Sequence, residues 1–143
     1  MIILDTNVLS ALMQSTPEPI VIAWLDRQPG PSIWTTAITV FEIRMGLALL
    51  PTGRRRDGLE AAFTRALDEA LARRILPFDE LAARHAGEVG ARRQRGGLNV
   101  DLRDTQIAGI ALARRAAVAT RNVRHFADLG VPVLNPWDGQ DAS

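Results

Sequence analysis

Three acidic side chains stand where they could bind a divalent cation. Asp5 follows the apolar run of residues 2–4, Glu42 lies early in a helical apolar pattern, and Asp104 begins the apolar segment DTQIAGIA. Mg²⁺ prefers oxygen ligands and usually retains several waters, so three carboxylates are sufficient. Without a cation, carboxylates that close repel each other, which raises the pKa of at least one. The pattern therefore predicts a site for Mg²⁺, or Mn²⁺ in its place, at Asp5, Asp104 and Glu42.

Each of these acids also has an ordinary structural explanation. Asp is favoured at helix N-caps, so Asp5 could cap a helix that begins at Thr6, and Asp104 could cap one that begins at Thr105. Glu42 could be a solvated surface side chain. Its helical neighbours three and four residues away, however, carry no charge that would pair with it. Glu42 is therefore the acid that most needs a partner from elsewhere in the fold.

Polar residues beside two expected strand ends could support the same site. Thr120 and Asn122 bring a hydroxyl and an amide to the end of the segment AVAT, although a polar turn would also explain them. Thr6 and Asn7 could stabilise the turn that directs Asp5. These four residues are therefore predicted to support the three acids.

Other residue types exclude whole classes of chemistry. All 17 basic residues are Arg, and without Lys there is neither a Walker-type phosphate loop nor a Schiff-base site. Without Cys there is no thiolate nucleophile and no disulfide. The two histidines, His85 and His125, are too few and too scattered for a zinc site and receive no role. Asp101 is interpreted as a loop residue.

The apolar pattern predicts strands that alternate with helices. The predicted strands are 2–4, 32–36, 75–78, 117–120 and 133–134. The predicted helices are 6–13, 20–27, one from 38 to the turn at 51–53, 59–71, one from 79 to about 95, one from 104, and a helical turn at 123–127. Alternation of this kind indicates an α/β fold, a single domain over 1–143 whose central parallel sheet has four to five short strands flanked by helices. Ligands of such sheets bind beyond the carboxyl ends of the strands, where Asp5 and residues 120–122 fall.

Bulk composition is that of one globular domain in a reducing compartment. The chain has 143 residues, of which 47% are hydrophobic, and its formal net charge is +1. Its first residues lack a basic leader, and no apolar run approaches the roughly 18 residues that a membrane span needs. We therefore expect a cytoplasmic protein that does not contact a membrane.

Five segments together resemble the PIN-domain family, most closely its VapC-like and FitB-like toxin branch. They are ILDTNVLSAL with Asp5, TAITVFEIRMG with Glu42, DTQIAGIA with Asp104, ATRNVRHF with Thr120 and Asn122, and the closing GVPVLNPW. Together they span nearly the whole chain in order. The sequence departs from the family at one point, because many members carry an Asp where this chain has Asn122. A neutral amide there contributes no charge, so one and two bound ions remain alternatives.

The resemblance implies a PIN-like fold and a Mg²⁺- or Mn²⁺-dependent endoribonuclease that acts as the toxin of a toxin-antitoxin pair. It also implies a homodimer that is held inactive by a cognate antitoxin of the VapB or FitA kind. Operator DNA would then be bound only through the antitoxin.

The expected reaction is hydrolysis of an RNA phosphodiester by metal-activated water. Asp5 and Asp104 would bind the ion directly or through waters, and Glu42 would complete the cluster and orient or deprotonate the attacking water. Thr120 and Asn122 would position the phosphate or a water. The arginines expected to contact the RNA backbone are Arg121, Arg124, Arg92 and Arg93, although a solvated helix face or turn would explain any one of them.

Two other kinds of function would also use some of these residues. Phosphoryl transfer from an Asp after the first strand is disfavoured, because the receiver domains need Lys and the phosphatases need a second Asp where this chain has Asn7. A binding module is the remaining alternative: a PIN-like scaffold that has lost efficient turnover, through Asn122 for example, and acts by engaging an antitoxin or RNA.

Overall fold

Five short parallel strands form one sheet in the computed structural model, which describes residues 1–138. They are β1 (Ile2–Leu4), β2 (Ile33–Thr36), β3 (Ile75–Leu76), β4 (Ala117–Ala119) and β5 (Val133–Leu134). Their order in the sheet is β3-β2-β1-β4-β5, and every pair is parallel. The predicted α/β class with a central parallel sheet is confirmed. Residues 139–143 of the predicted domain lie outside the described residues.

Six α-helices connect and cover the strands. They are α1 (Thr6–Leu12), α2 (Pro19–Asp26), α3 (Ala37–Leu49), α4 (Arg54–Arg65), α5 (Glu80–Arg95) and α6 (Leu102–Arg114). A π-helical turn (Ala66–Ala70) continues α4, and 3₁₀ turns occupy Gly30–Ser32, Val123–His125 and Pro136–Asp138. Within residues 1–138, no helix combines the length and apolar character that a bilayer crossing requires.

Two helix starts differ from the prediction for physical reasons. Helix α4 begins at Arg54 rather than at 59. The apolar pattern missed its first turn, because that turn is polar and has no apolar periodicity. Helix α6 begins at Leu102 rather than at Asp104, because Asp101 caps it by accepting the Asp104 N–H at 3.0 Å. Asp101 is therefore the N-cap and not merely a loop residue, and Asp104 is the third residue of the helix.

Strand β1 lies at the centre of the sheet and separates two hydrophobic cores. Because side chains alternate along a strand, Leu4 packs on one face with Trp24 and Phe63, while Ile3 packs on the other with Phe126. All five side chains are fully buried. Burial of an Ile, Leu or Phe side chain contributes roughly 1.5–3 kcal/mol each. The strand that carries Asp5 at its carboxyl end is therefore anchored on both faces.

Helices α5 and α6 pack closely because residue 109 has no side chain. A Cβ atom built on Gly109 would lie 2.4 Å from the carbonyl oxygen of Ala82 and 2.7 Å from the Cβ of Ala86. Real Cβ atoms do not approach other atoms so closely, so a larger residue would push the helices apart. The contact holds α6, and with it Asp104, against α5.

We predict that Gly109→Ala destabilises the protein by about 1–3 kcal/mol, the usual cost of overpacking. Gly87→Ala is the matched control, since a Cβ at that exposed position on α5 meets nothing within 4 Å. It should raise stability by roughly 0.5–1 kcal/mol, because Ala is the better helix former. Urea unfolding measures both changes. Equal stabilities for the two variants would contradict the close packing of α5 on α6.

Candidate metal centre

Asp5 is a buried carboxylate held on both of its oxygens. It ends β1 and caps α1: its Oδ1 accepts the Thr6 backbone N–H at 2.8 Å. Its Oδ2 accepts the Thr120 hydroxyl at 2.8 Å and the Asn7 side-chain amide at 3.3 Å. The capping explanation for Asp5 is therefore correct, and it does not exclude a second role. Each carboxylate oxygen has two lone pairs, so acceptor capacity remains on Oδ1, which accepts one hydrogen bond, whereas both lone pairs of Oδ2 are engaged.

Thr6 connects Asp5 to Glu42. While its backbone N–H bonds Asp5, its hydroxyl donates to Glu42 Oε1 at 3.0 Å. The second oxygen of Glu42, Oε2, lies 3.7 Å from the Arg103 guanidinium, which makes a long ion pair. Helix α3, which begins directly after β2, thus brings Glu42 to the edge where β1 ends. Thr6 and Arg103 are thus the partners that Glu42 lacks among its own helical neighbours.

Asp104 reaches the same edge from the first turn of α6. Its Oδ2 lies 2.6 Å from Nδ1 of His125, which belongs to the 3₁₀ turn after β4. Its neighbour Arg103 is the residue that reaches Glu42. The prediction that His125 has no role is therefore wrong. A lone histidine 21 residues from its partner gives no local signal, so only the fold reveals the contact.

Electrostatics tie the three carboxylates into one cluster. Burial raises the pKa of Asp5, against hydrogen bonds from Thr120 and Thr6 that lower it, and repulsion from Asp104 adds to the rise. Burial also raises the pKa of Glu42, where Asp5 and Asp104 both add repulsion. The pKa of Asp104 is raised by burial despite its hydrogen bond with His125. The charged form of all three carboxylates is therefore unfavourable, and a cation bound among them would relieve the repulsion.

The three carboxylates supply the oxygen ligands that a hard divalent cation prefers, but they are not already arranged around one ion position. Within residues 1–138, no three acidic or histidine side chains lie close enough to hold one ion as they stand. Each carboxylate is instead engaged by a hydroxyl, an amide, an arginine or an imidazole. Mg²⁺ usually keeps several waters, so these oxygens fit an ion that is held partly through water.

The predicted supporting residues differ in what they contact. Thr120 is fully buried and its hydroxyl also accepts the Asn7 amide at 3.2 Å and the Asn122 N–H at 3.0 Å. Asn7 further accepts the Arg121 N–H at 3.1 Å. Thr120, Asn7 and Thr6 therefore orient Asp5 and Glu42. Asn122 is exposed, and its side-chain amide makes no hydrogen bond to the described residues.

Three of the four predicted RNA-contacting arginines are exposed. Arg121 lies over the Trp137 ring at 4.7 Å, Arg124 lines a cavity of about 450 Å³ that Asp104 and His125 also line, and Arg92 is exposed on α5. Arg93 is the exception. Only 6% of its surface is exposed, because its guanidinium binds Asp128 and the His125 carbonyl. Arg93 is therefore a structural residue and is not available to phosphates.

Comparison with known proteins gives a consistent family. The family model of the PIN domain matches residues 2–131. The chain is 39% identical to VapC ribonuclease Y4jK of Sinorhizobium fredii, over 96% of this chain and 99% of that protein. It is 36% identical to Toxin FitB of Neisseria gonorrhoeae, with the same coverage of each chain. A solved structure of FitAB bound to a DNA fragment matches with a TM-score of 0.85, 36% identity and 96% coverage of each chain.

The raised pKa of Asp5 predicts a pH effect on stability in the absence of metal. A carboxylate whose folded pKa is raised stabilises the fold when protonated, and that contribution is lost as pH rises through the folded pKa. Asp5→Asn should therefore stabilise the protein at neutral pH, since Asn keeps the N-cap without the buried charge. The gain should vanish below the ordinary Asp pKa of about 3.9. Urea unfolding in EDTA across this range measures it.

Asp128→Asn is the control, and its effect on the free energy of unfolding should have the opposite sign. The hydrogen bond from Arg93 lowers the pKa of Asp128, so its stabilisation is present above the ordinary Asp pKa and lost as pH falls through the lowered one. This variant should be less stable than the parent at neutral pH and equal to it in strong acid. If Asp5→Asn were destabilising at neutral pH, the picture of a strained acidic centre would be wrong.

Proposed function

Because the chain belongs to the PIN-domain family, in its VapC-like and FitB-like toxin branch, we propose that it is a divalent-metal-dependent endoribonuclease. The observation that carries the proposal is the convergence of Asp5, Glu42 and Asp104, each with a raised pKa, at the carboxyl edge of a parallel sheet. It acts as a toxin in the cytoplasm on RNA. Mg²⁺ is the expected ion, and Mn²⁺ would serve as a substitute for it.

Asp5 and Asp104 would hold the ion, directly or through waters. A divalent cation there supplies Lewis acidity toward a phosphate oxygen and makes nearby water more acidic. Glu42 accepts a proton from the attacking water, and its raised pKa makes it a stronger base than an ordinary Glu. The accepting atom is Oε2, because Oε1 is held by Thr6 and the long Arg103 pair is the one contact of Oε2 among residues 1–138. The oxygen of that water would bond to phosphorus as one bridging P–O bond breaks, and the leaving oxygen would take a proton from solvent.

Positive charge at the rim would bring the RNA backbone to an otherwise acidic centre. Arg124 lies beside Asp104 in the cavity of about 450 Å³, and Arg121 is held next to Asn7 by its backbone N–H. Their guanidinium groups are suited to phosphate oxygens, and such contacts position RNA without reading its sequence. Arg92 extends the positive surface along α5. Asn122 adds no fourth negative charge, which favours one tightly bound ion over two.

The chain is proposed to bind a cognate antitoxin in a groove between α1 and α4. This groove, about 430 Å³, has Met13, Leu59 and Ala62 on its floor and is bordered by Arg54, Arg55 and Arg65. An adjoining cavity shares Met13 and Leu59 and extends to Thr6 and Glu42. An amphipathic segment with acidic side chains fits such a groove. A segment lying there would cover the acidic centre, and operator DNA would be bound by the antitoxin alone.

Homodimer formation is proposed through an apolar ridge on α3, formed by Phe41, Met45 and Leu49. These residues are four apart and so share one helix face. They are 55%, 41% and 78% exposed. Water contact with three large apolar side chains is unfavourable, and a second copy of the chain would remove it. The ridge and the groove are formed by different residues, so dimerisation and antitoxin binding are separable.

We predict that Asp5→Asn, Glu42→Gln and Asp104→Asn each reduce Mg²⁺-dependent cleavage of RNA at least about 100-fold, beyond the range typical of residues that only support a metal ligand. The matched control is Glu88→Gln, an exposed acid on α5, which should cleave normally. The substrate is total RNA in Mg²⁺, Mn²⁺ or EDTA, with cleaved ends mapped by sequencing. Cleavage that persists in EDTA would contradict the metal mechanism. RNA binding without cleavage in Mg²⁺ would favour the binding module instead.

The two proposed surfaces predict opposite effects for two variants. Leu49→Glu should convert the dimer to a monomer, as measured by light scattering, while leaving antitoxin affinity unchanged. Arg65→Glu should weaken binding of the proposed cognate antitoxin by at least about tenfold, or about 1.4 kcal/mol, and leave the dimer intact. Calorimetry measures that affinity. A dimer that survives Leu49→Glu would exclude the ridge as its interface.

A further inference from the structure

His125 makes a short contact with Asp104 that has a defined direction. The distance between Nδ1 of His125 and Oδ2 of Asp104 is 2.6 Å. An ionised carboxylate is only an acceptor, so in the state in which Asp104 binds a cation the proton must lie on Nδ1. His125 therefore donates Nδ1–H to Asp104. The tautomer is set by this bond, which leaves Nε2 without the proton in the neutral ring.

The backbone of His125 is held in place before its side chain makes this bond. The buried Arg93 guanidinium donates to the His125 carbonyl at 2.6 Å and to both Asp128 oxygens, at 2.7 and 2.9 Å. The His125 N–H donates to the Asn122 carbonyl at 3.0 Å, and the next residue, Phe126, is fully buried. The imidazole is half exposed, but its main chain is anchored. The backbone of this turn is therefore already ordered, and only the rotation of the imidazole is restricted when the ring contacts Asp104.

Asp104 depends on His125 more than the other two acids depend on any one partner. Asp5 accepts from Thr6, Thr120 and Asn7, and Glu42 has both Thr6 and Arg103. The Asp104 carboxylate has His125 as its one hydrogen-bond partner among residues 1–138. Its Oδ1 accepts no protein hydrogen bond there. The turn after β4 carries Asn122 where many PIN-domain proteins have a fourth acid. Three residues later, the same turn supplies His125, which donates to Asp104.

We infer that His125 is a positioning residue for Asp104: its Nδ1–H holds Oδ2 and thereby orients the carboxylate toward the cation. The inference rests on the proposed function, since it takes Asp104 to be a metal ligand. Residues that orient a ligand in this way typically affect metal affinity 10- to 100-fold. Arg93 and Asp128 act one step further away, because they hold the turn from which His125 reaches Asp104.

The test measures Mn²⁺ binding to the full chain by electron paramagnetic resonance, without RNA. His125→Ala should weaken binding at least about tenfold. His125→Asn should restore most of the affinity, because the Asn side-chain amide nitrogen is as many bonds from Cα as Nδ1 is. His85→Ala is the matched control, since His85 is the only other histidine and makes no described contact with the acids. It should bind Mn²⁺ like the parent.

A second readout does not require metal. Nitrogen-15 spectra of the two histidines, assigned with the two alanine variants, should show His125 with its proton on Nδ1 in the parent protein. Asp104→Asn should change the His125 signals and leave those of His85 unchanged. Identical His125 signals in the parent and in Asp104→Asn would overturn the contact itself.

The variants separate failure of this inference from failure of the proposed function. If Asp104→Asn abolishes Mn²⁺ binding while His125→Ala binds normally, the positioning role is wrong and the metal site stands. If His125→Asn binds as weakly as His125→Ala, hydrogen bonding is not what His125 contributes, and the inference is again wrong. If Asp104→Asn binds Mn²⁺ like the parent, the proposed metal site is wrong.

Discussion

The charge of three carboxylates at one edge of the sheet is the constraint on which the rest of this structure depends. Burial raises the pKa of Asp5, Glu42 and Asp104, and repulsion from a neighbouring carboxylate adds to each rise, so the fold must tolerate carboxylates whose charged form is unfavourable in it. The anchoring of β1 in two hydrophobic cores supplies the stability that makes this tolerable.

The groups around the carboxylates orient them without cancelling their charge. Thr6, Thr120 and Asn7 are neutral donors, and the Arg103 side chain makes only a long contact with Glu42. Neutral donors lower the pKa of a carboxylate less than a close cation would, so the three acids keep the electrostatic repulsion that the proposed cation would relieve. The strong ion pair of this region, Arg93 with Asp128, lies behind the site and holds the turn that carries His125.

The position of the acidic centre also explains how binding at another surface would control it. The groove between α1 and α4 adjoins a cavity that includes Thr6 and Glu42, so a segment bound in the groove would lie near the proposed metal centre. The apolar ridge of α3 faces solvent on the same helix that carries Glu42. One short helix therefore links the acidic centre to both proposed protein contacts.

Local spacing was enough to predict the strands and most of the helices, because side-chain periodicity and caps depend on residues a few positions apart. The metal-binding role of the three acids stays a prediction. Local spacing placed the start of α6 at Asp104, since Asp101 and Asp104 are equally good caps and only the folded backbone chooses between them. It treated Arg93 as a surface cation and gave His125 no role. Their partners, Asp128 and Asp104, are 35 and 21 residues away. Such pairs form only when helices and turns pack, so tertiary structure alone decided them.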